Sequence, residues 1–293
     1  MKELLIISGK GGTGKTTVAA ALADLGAREK SLVLVDADVD AANLELLLNP
    51  DIQARHSFEA GQRAVIDADM CTLCGRCMQV CRFDAIDDSD GYQVIADMCE
   101  GCRSCFYQCP SNAIRIETST SGEWYQSHTA FGTLFHAMLF PGEGNSGKLV
   151  SELKLAAQAH ARRQQSDMLL IDGPPGTGCP VTAACRAVDL AVLVTEPTVS
   201  GQHDLERILE VVTHFGVPAG LVINKFDLNQ KARDHMHQFA SDAGIPLFGE
   251  IPYDEQLIAA ISAAQPVTRV LDNESTDAVK GIWLRVKKAL FDL

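Results

Sequence analysis

Short apolar runs alternate with helix-length stretches along most of the chain. Leu4 to Ser8 (LLIIS) and Leu32 to Val35 (LVLV) are nearly continuous in branched aliphatic residues, and Met168 to Ile171, Ala191 to Val194 and Leu221 to Ile223 repeat the pattern. Runs of this length without polar alternation read as strands buried on both faces of a parallel sheet. Segments of helical period lie between them, the first running from Lys15 to about Gly26 and rich in Ala and Leu. Strands alternating with helices predict an α/β fold: a mostly parallel sheet with helices on both faces. Near the C-terminus Val279, Ile282, Trp283, Val286 and Leu290 share one helical face, with Lys280, Arg285, Lys287 and Lys288 elsewhere. This reads as a helix packed on the sheet; the competing reading is an amphipathic helix at a membrane surface.

The middle of the chain breaks the rhythm. From about Gln62 to Glu117 it is cysteine-rich and lacks helix-length periodicity, and it contains an internal repeat. Cys71 to Ile86 reads CTLCGRCMQVCRFDAI and Cys99 to Ile114 reads CEGCRSCFYQCPSNAI, both following C-x2-C-x2-C-x3-C-x3-A-I. Each repeat is followed by a strand-like run, Tyr92 to Ile95 and Ile114 to Ile116. The expected organisation is a discontinuous α/β domain (residues 1–60 and 120–293) interrupted by an inserted domain (residues 61–119), with polar linkers near residues 59–62 and 119–122.

Composition narrows the function. With 46% hydrophobic and 22% charged residues the chain can bury an ordinary core, and its formal charge of −13 gives no general attraction to nucleic acid or anionic lipid. No apolar run reaches the ~18 residues of a membrane span. A phosphate-binding loop from Gly9 leaves no room for a leader, so a cytoplasmic location is expected, with neither nucleic acid nor stable membrane association. In that compartment ten cysteines point to metal or redox chemistry rather than disulfides.

Gly9-Lys10-Gly11-Gly12-Thr13-Gly14-Lys15-Thr16-Thr17 follows a strand and opens a helix. Glycines let backbone N–H groups wrap phosphates at the positive end of the helix. Lys15 is expected to reach the β- and γ-phosphates and the Thr16 hydroxyl to bind Mg²⁺. Acidic residues follow the next strand as Asp36-Ala37-Asp38-Val39-Asp40, and Asp172-Gly173-Pro174-Pro175-Gly176-Thr177-Gly178 follows another. Both sets belong at the C-terminal ends of strands, facing the crevice of an open sheet. Asp40 reads as the cap of the next helix, and Ser200 as another helix N-cap. Asn224-Lys225-Phe226-Asp227 ends a further strand; taken literally N-K-x-D is a guanine-reading motif.

The cysteine repeats are similar to the bacterial two-cluster ferredoxin pattern, in which each fourth cysteine serves the other cluster. That similarity implies one [4Fe–4S] cluster on Cys71, Cys74, Cys77 and Cys109 and a second on Cys99, Cys102, Cys105 and Cys81. Zinc fits separated C-x2-C pairs and leaves three cysteines at x2 spacing, twice, unexplained. The second repeat keeps a proline after its last cysteine, Pro110, where the first has Arg82. Cys185, in an Ala-rich helix, reads as core; Cys179 reads as packing rather than as a bridging-cluster ligand.

Lys10 inside the glycine loop makes GKGGTGKT resemble the deviant Walker A motif of MinD/ParA/Mrp-like P-loop ATPases. Pro141-Gly142-Glu143-Gly144-Asn145-Ser146-Gly147-Lys148 and Glu196-Pro197-Thr198-Val199-Ser200-Gly201 resemble stretches of the members that contain an inserted two-cluster ferredoxin domain. The resemblance implies that Lys10 contacts a partner's nucleotide, Asp38 positions the attacking water, Asp36 supports the Mg²⁺ shell, Asp172 holds Mg²⁺ through water, and Asn224 meets adenine. It thus favours ATP over GTP, and a nucleotide-dependent homodimer or a heterodimer with a related chain. The expected activity is ATP hydrolysis gating electron transfer through the clusters to a redox or iron–sulfur partner protein. Cluster assembly or delivery, and a positioning ATPase with redox-sensing clusters, are the alternatives.

Overall fold

The apolar runs fold as strands because their aliphatic side chains have a helical layer to bury into on each side. The computed structural model describes residues 1–291; Asp292 and Leu293, the end of the expected α/β domain, lie outside the described residues. Its strands are β1 (Lys2–Ser8), β2 (Leu32–Asp36), β3 (Asp51–Ile66), β4 (Ile86–Asp87), β5 (Gln93–Val94), β6 (Ile114–Thr129), β7 (Gly132–Leu139), β8 (Met168–Pro175), β9 (Leu190–Thr195), β10 (Ala219–Asn224) and β11 (Leu247–Ile251). Nine form one sheet in the order β11-β10-β9-β1-β8-β2-β7-β6-β3. Pairing is parallel from β11 through β7. Neighbours β6 and β7 are joined by only two residues, which requires an antiparallel hairpin.

The chain divides into two compact units. The first comprises Met1–His56, Trp124–Met138 and Ser146–Leu293. In it Leu4 and Ile6 of β1 share a buried cluster with Ala19, Ala20 and Leu22 of the helix Lys15–Ala27 and with Val279, Ile282, Trp283, Val286 and Leu290 of the helix Glu274–Phe291. The alternate residues Leu5 and Ile7 are equally buried and face the opposite layer, as the period of a strand demands. The C-terminal helix therefore spends its apolar face on the core, as expected, and among the described residues no helix is long and apolar enough to cross a membrane.

A buried carboxylate locks the C-terminal segment to the helix behind the glycine loop. Asp24 has no exposed surface and accepts from Arg28 at 2.6 Å, Thr268 at 2.7 Å and Arg269 at 2.8 Å. Burial works against its charge, but these three donors hold its pKa below the ordinary 3.8. A depressed folded pKa means the contribution is complete above the unfolded value and disappears as pH falls through the folded one. Asp24→Asn is expected to cost about 2 kcal/mol at neutral pH, since charge-assisted bonds are lost and a buried donor meets two guanidinium groups. The loss should shrink as pH falls below 3.8 and through the depressed folded pKa, as read by urea unfolding at several pH values; a pH-independent difference would refute the electrostatic account.

The second unit comprises Ser57–Glu123 and Leu139–Asn145. It holds the far ends of β3 and β6, the antiparallel pair β4–β5, and one five-residue helix per cysteine repeat, Arg76–Val80 and Ser104–Gln108. Its small core joins Ala64, Ile86 and Ile114 to Cys77 and Cys105. The polar stretches expected as linkers are strand interior: residues 59–62 lie in β3 and 119–122 in β6. Leu139–Asn145, which carries no cysteine, was outside the expected insert yet belongs to this unit.

Candidate active site

β1 ends at Ser8, the chain turns through the glycines, and the helix begins at Lys15 with Gly14 as N-cap at φ 88°. A side chain on Gly14 would be strained there and would also meet Asn224 Nδ2 at 2.3 Å. The loop bounds a cavity of about 530 Å³ lined by Gly11, Gly12, Thr13, Gly14, Lys15, Thr16 and Thr17, with Asp38, Asp40, Asn43 and Pro174 opposite. That volume suits a nucleotide's phosphates and cation.

Carboxylates converge on Lys15. Its Nζ lies 2.8 Å from Asp172 Oδ1 and 3.8 Å from Asp38 Oδ2. Burial alone would depress its pKa, but Asp172, with Asp36 and Asp38 behind it, holds it above the ordinary value. The β2–β8 register sets Asp36 directly beside Asp172, and both are fully buried. Burial, then the charge of Asp172, pushes Asp36 up to about 8. Asp38 is raised as well, by burial first, against the pull of Lys15.

The structure gives Asp36 a bracing position. Its oxygens accept backbone N–H bonds from Asp38 at 3.2 Å, Asn43 at 3.1 Å and Leu44 at 2.9 Å. Asp36 therefore caps the helix Leu44–Leu48, whose N-cap residue is Asn43, in place of the expected Asp40. Likewise Thr198, not Ser200, is the N-cap of the helix Val199–His214, accepting from the Gly201 N–H at 2.9 Å. Among the described residues Asp172 Oδ2 is buried without a hydrogen-bond partner, and the Lys15 Nζ that binds Asp172 Oδ1 also reaches the Thr16 hydroxyl at 3.4 Å. An orphaned carboxylate oxygen near a hydroxyl fits a hard cation that takes oxygen ligands.

Lys10 and Gly9 stand outside this cavity. Lys10 folds back onto its own chain, with Nζ 2.7 Å from Glu196, 3.0 Å from Ser200 and 3.2 Å from Thr198. Lys225 shares Glu196 at 3.1 Å and donates to the Gly12 carbonyl at 3.2 Å. Burial opposes the Glu196 charge, yet the two lysines hold its pKa below the ordinary range.

Asn224 is nearly buried and spends its amide within the protein: Nδ2 donates to the Thr13 carbonyl at 2.8 Å and Oδ1 accepts the Lys225 N–H at 3.0 Å. It lines an adjoining, mainly apolar cavity of about 260 Å³ with Gly14, Thr17, Ile251, Tyr253 and Leu257. Sequence reasoning missed Tyr253; its signal is the I-P-Y-D run at the end of β11. Asp227, the last residue of N-K-x-D, is outside that lining and accepts the Tyr253 N–H at 2.7 Å.

In the second unit the two cysteine repeats adopt one backbone conformation. Leu73 and Gly101 have φ 54° and 61°, Gly75 and Arg103 75° and 65°, Asp84 and Asn112 51° and 52°. Each pair occupies equivalent repeat positions, so three left-handed residues recur although glycine moves from one site to the other. The fourth cysteines also match: Ala85 N–H donates to Cys81 Sγ at 3.4 Å and Ala113 N–H to Cys109 Sγ at 3.3 Å. Cys81 joins Cys99, Cys102 and Cys105 in the lining of one cavity. Burial raises the thiols of Cys77 and Cys105, whose nearby charges are Cys71 and Cys74 for the one and Cys99 and Cys102 for the other. Among the described residues no three His, Cys, Asp or Glu side chains are grouped to hold a single metal ion. Cys185 is buried and Cys179 exposed.

Comparison with known proteins places this geometry in a family. The chain is 39% identical over 228 residues, 78% of its length and 79% of the other's, to an uncharacterized protein of Methanocaldococcus jannaschii. It is 24% identical to the septum site-determining protein MinD of Helicobacter pylori, covering 96% of this chain and 88% of that protein. In fold it matches the cell division ATPase MinD of Pyrococcus furiosus, with TM-score 0.58, 21% identity and 98% coverage of both chains. It also matches MinD of Pyrococcus horikoshii complexed with Mg-ADP, with TM-score 0.58, 20% identity and coverage of 98% and 96%. The model of the CobQ/CobB/MinD/ParA nucleotide-binding domain matches residues 4–267, so the chain belongs to that family.

Proposed function

We propose that this protein binds and hydrolyses ATP and carries two [4Fe–4S] clusters, passing electrons to a redox partner under nucleotide control. The observation that carries the iron–sulfur half is the cavity that gathers Cys99, Cys102 and Cys105 of one repeat with Cys81 of the other. A cubane assigns each thiolate to its own iron, so its ligands stand further apart than those around one ion, and the left-handed turns direct backbone N–H groups toward sulfur. The remaining set is Cys71, Cys74, Cys77 and Cys109. Bound clusters supply reversible one-electron transfer. One observation favours cluster delivery instead: Cys74 and Cys102 are exposed. Cluster loss to an apo-acceptor without redox turnover would support that reading.

For hydrolysis, Thr16 and Asp172 would hold Mg²⁺, which neutralises charge on the phosphates. Asp36 braces the loop that presents Asp38, and Asp38 orients the attacking water. Lys15 leaves Asp172 for the phosphates as nucleotide enters. The base lies in the cavity of Asn224 and Tyr253, and the engagement of Asp227 by the Tyr253 backbone N–H keeps the carboxylate of N-K-x-D from reading guanine, which favours ATP.

Lys10 acts across a dimer interface once it is released from Glu196. Asp38→Ala is expected to bind ATP but lower turnover by about a hundredfold or more, as loss of a water-positioning group does. ATP should then raise the sedimentation coefficient of this variant to that of a dimer, and Lys10→Ala in the same background should cancel the rise. An Asp38→Ala variant with normal turnover would overturn the water assignment; a monomer at every nucleotide concentration would overturn the role of Lys10.

A further inference from the structure

The segment of residues 141–148 has no part in the chemistry above, yet both of its ends are held tightly. At one end lies Gly147, in the first turn of the helix Ser146–Arg163. A Cβ there would stand 3.0 Å from Cys179 Cβ and 3.1 Å from its backbone carbon. Cys179 directly follows the loop 172–178, which the family resemblance implies to be a nucleotide switch sensing the γ-phosphate, so this helix start rests against the end of that loop.

Ahead of Ser146 the chain is part of the second unit. There Glu143 pairs with Arg63 at 2.7 Å, and Asn145 Nδ2 donates to the Ala60 carbonyl at 3.4 Å. Gly61 lies between these ties with no space for a side chain: an added Cβ would be 2.2 Å from Ser119 Oγ and 3.3 Å from Glu143 Oε2. Residues 60–63 of β3 thus grip the loop. Gln62, from the middle of the same stretch, grips the second cysteine loop. Arg103 donates twice to Gln62 Oε1, at 3.1 and 2.7 Å, and the Gln62 carbonyl fills the place of a Cβ on Gly101, 2.1 Å away. A polar cavity of about 350 Å³ has Cys99 and Gly101 on one wall and Glu143 and Asn145 on another. In the first repeat the equivalent of Arg103 is Gly75, which faces Tyr92 and has no side chain to make such a tie.

Close-packed elements transmit displacement rather than absorb it. We propose that residues 141–148 couple the nucleotide switch to the cluster of Cys99, Cys102, Cys105 and Cys81 specifically, leaving the cluster of Cys71, Cys74, Cys77 and Cys109 insensitive to nucleotide. The inference rests on the iron–sulfur reading given above. Coupling must be reciprocal at equilibrium: whatever factor nucleotide imposes on reduction of that cluster, reduction imposes on nucleotide affinity.

The test is an anaerobic redox titration followed by electron paramagnetic resonance, on iron-counted protein with no nucleotide, ADP, or a hydrolysis-resistant ATP analogue. A tenfold coupling corresponds to about 59 mV for one electron. In the wild type one potential should move by roughly this amount, and it should be the one whose signal Cys81→Ser removes. Glu143→Gln and, independently, Asn145→Ala should keep iron content and the analogue affinity of the oxidised protein while losing most of the shift. Amide hydrogen exchange at residues 99–103 should respond to the analogue in the wild type and not in either variant. A shift in the other cluster, equal shifts in both, no shift in the wild type, or full shifts in both variants would overturn the proposal. Protein holding zinc and no sulfide would instead remove the cluster reading beneath it; the exchange experiment on that protein would still report whether residues 141–148 carry motion from the switch.

Discussion

Lys15→Ala is expected to weaken ATP binding by at least about a hundredfold. Two charge-assisted bonds to phosphate oxygens are worth about 1.5–3 kcal/mol each, and each 1.4 kcal/mol is tenfold in affinity. The loss is compounded by what the lysine leaves behind. Asp172 is buried against Lys15, with Asp38 nearby, so without Lys15 the phosphates meet an acidic site that no lysine offsets. For the same reason the empty variant should be less stable than the wild type, because a buried ion pair at 2.8 Å has been broken from one side. Equilibrium binding of a fluorescent ATP analogue, with circular dichroism to verify folding, reads both effects. An affinity within about threefold of wild type in a folded variant would show that Lys15 stays on Asp172 and that the phosphates bind elsewhere.

Removal of Cys81 should damage the cluster of the other repeat. The cavity lining groups Cys81 with Cys99, Cys102 and Cys105, so on the proposed iron–sulfur reading Cys81→Ser is expected to lose about four of eight irons, and the surviving signal should be that of the set containing Cys71. Cys109→Ser should give the complementary loss. Serine preserves shape and supplies a hard oxygen in place of the soft thiolate that iron–sulfur clusters select. If Cys81→Ser instead removes the cluster of its own repeat, the crossed ligation is wrong; if neither substitution changes the iron content, these thiols hold no cluster.

What was legible in the sequence follows from how locally each signal is written. β1, β2, β8, β9 and β10 are apolar on both faces, and composition alone exposes such strands. The phosphate loop is equally local, because its chemistry needs glycines, a lysine and a hydroxyl in one turn. β3 and β6 were hidden because most of their residues are exposed or half-buried, so their polar stretches imitate connections between domains. The helix caps were misassigned for a different reason. Asp40 and Ser200 have the right chemistry nearby, but Asp36 and Thr198 have the geometry, and that depends on how the chain turns. The tie between Lys10 and Glu196 spans 186 residues, and no spacing rule reaches that far. Tyr253 has the I-P-Y-D run as a local signal, but its cavity has none, because separate segments of the chain assemble an apolar wall that no one of them announces.

The strand order also dictates a timetable. β1 and β2 are not neighbours, because β8 lies between them, so the glycine loop and the residues after β2 have no common scaffold until Met168–Pro175 has been made. Every residue of the second unit precedes that point in the chain. At about 5–20 residues per second, translation leaves an interval of a few seconds in which the cysteine unit is complete while the nucleotide site does not yet exist. If the cysteine unit binds iron–sulfur clusters as proposed, a nascent chain would be able to receive them before its nucleotide site is assembled.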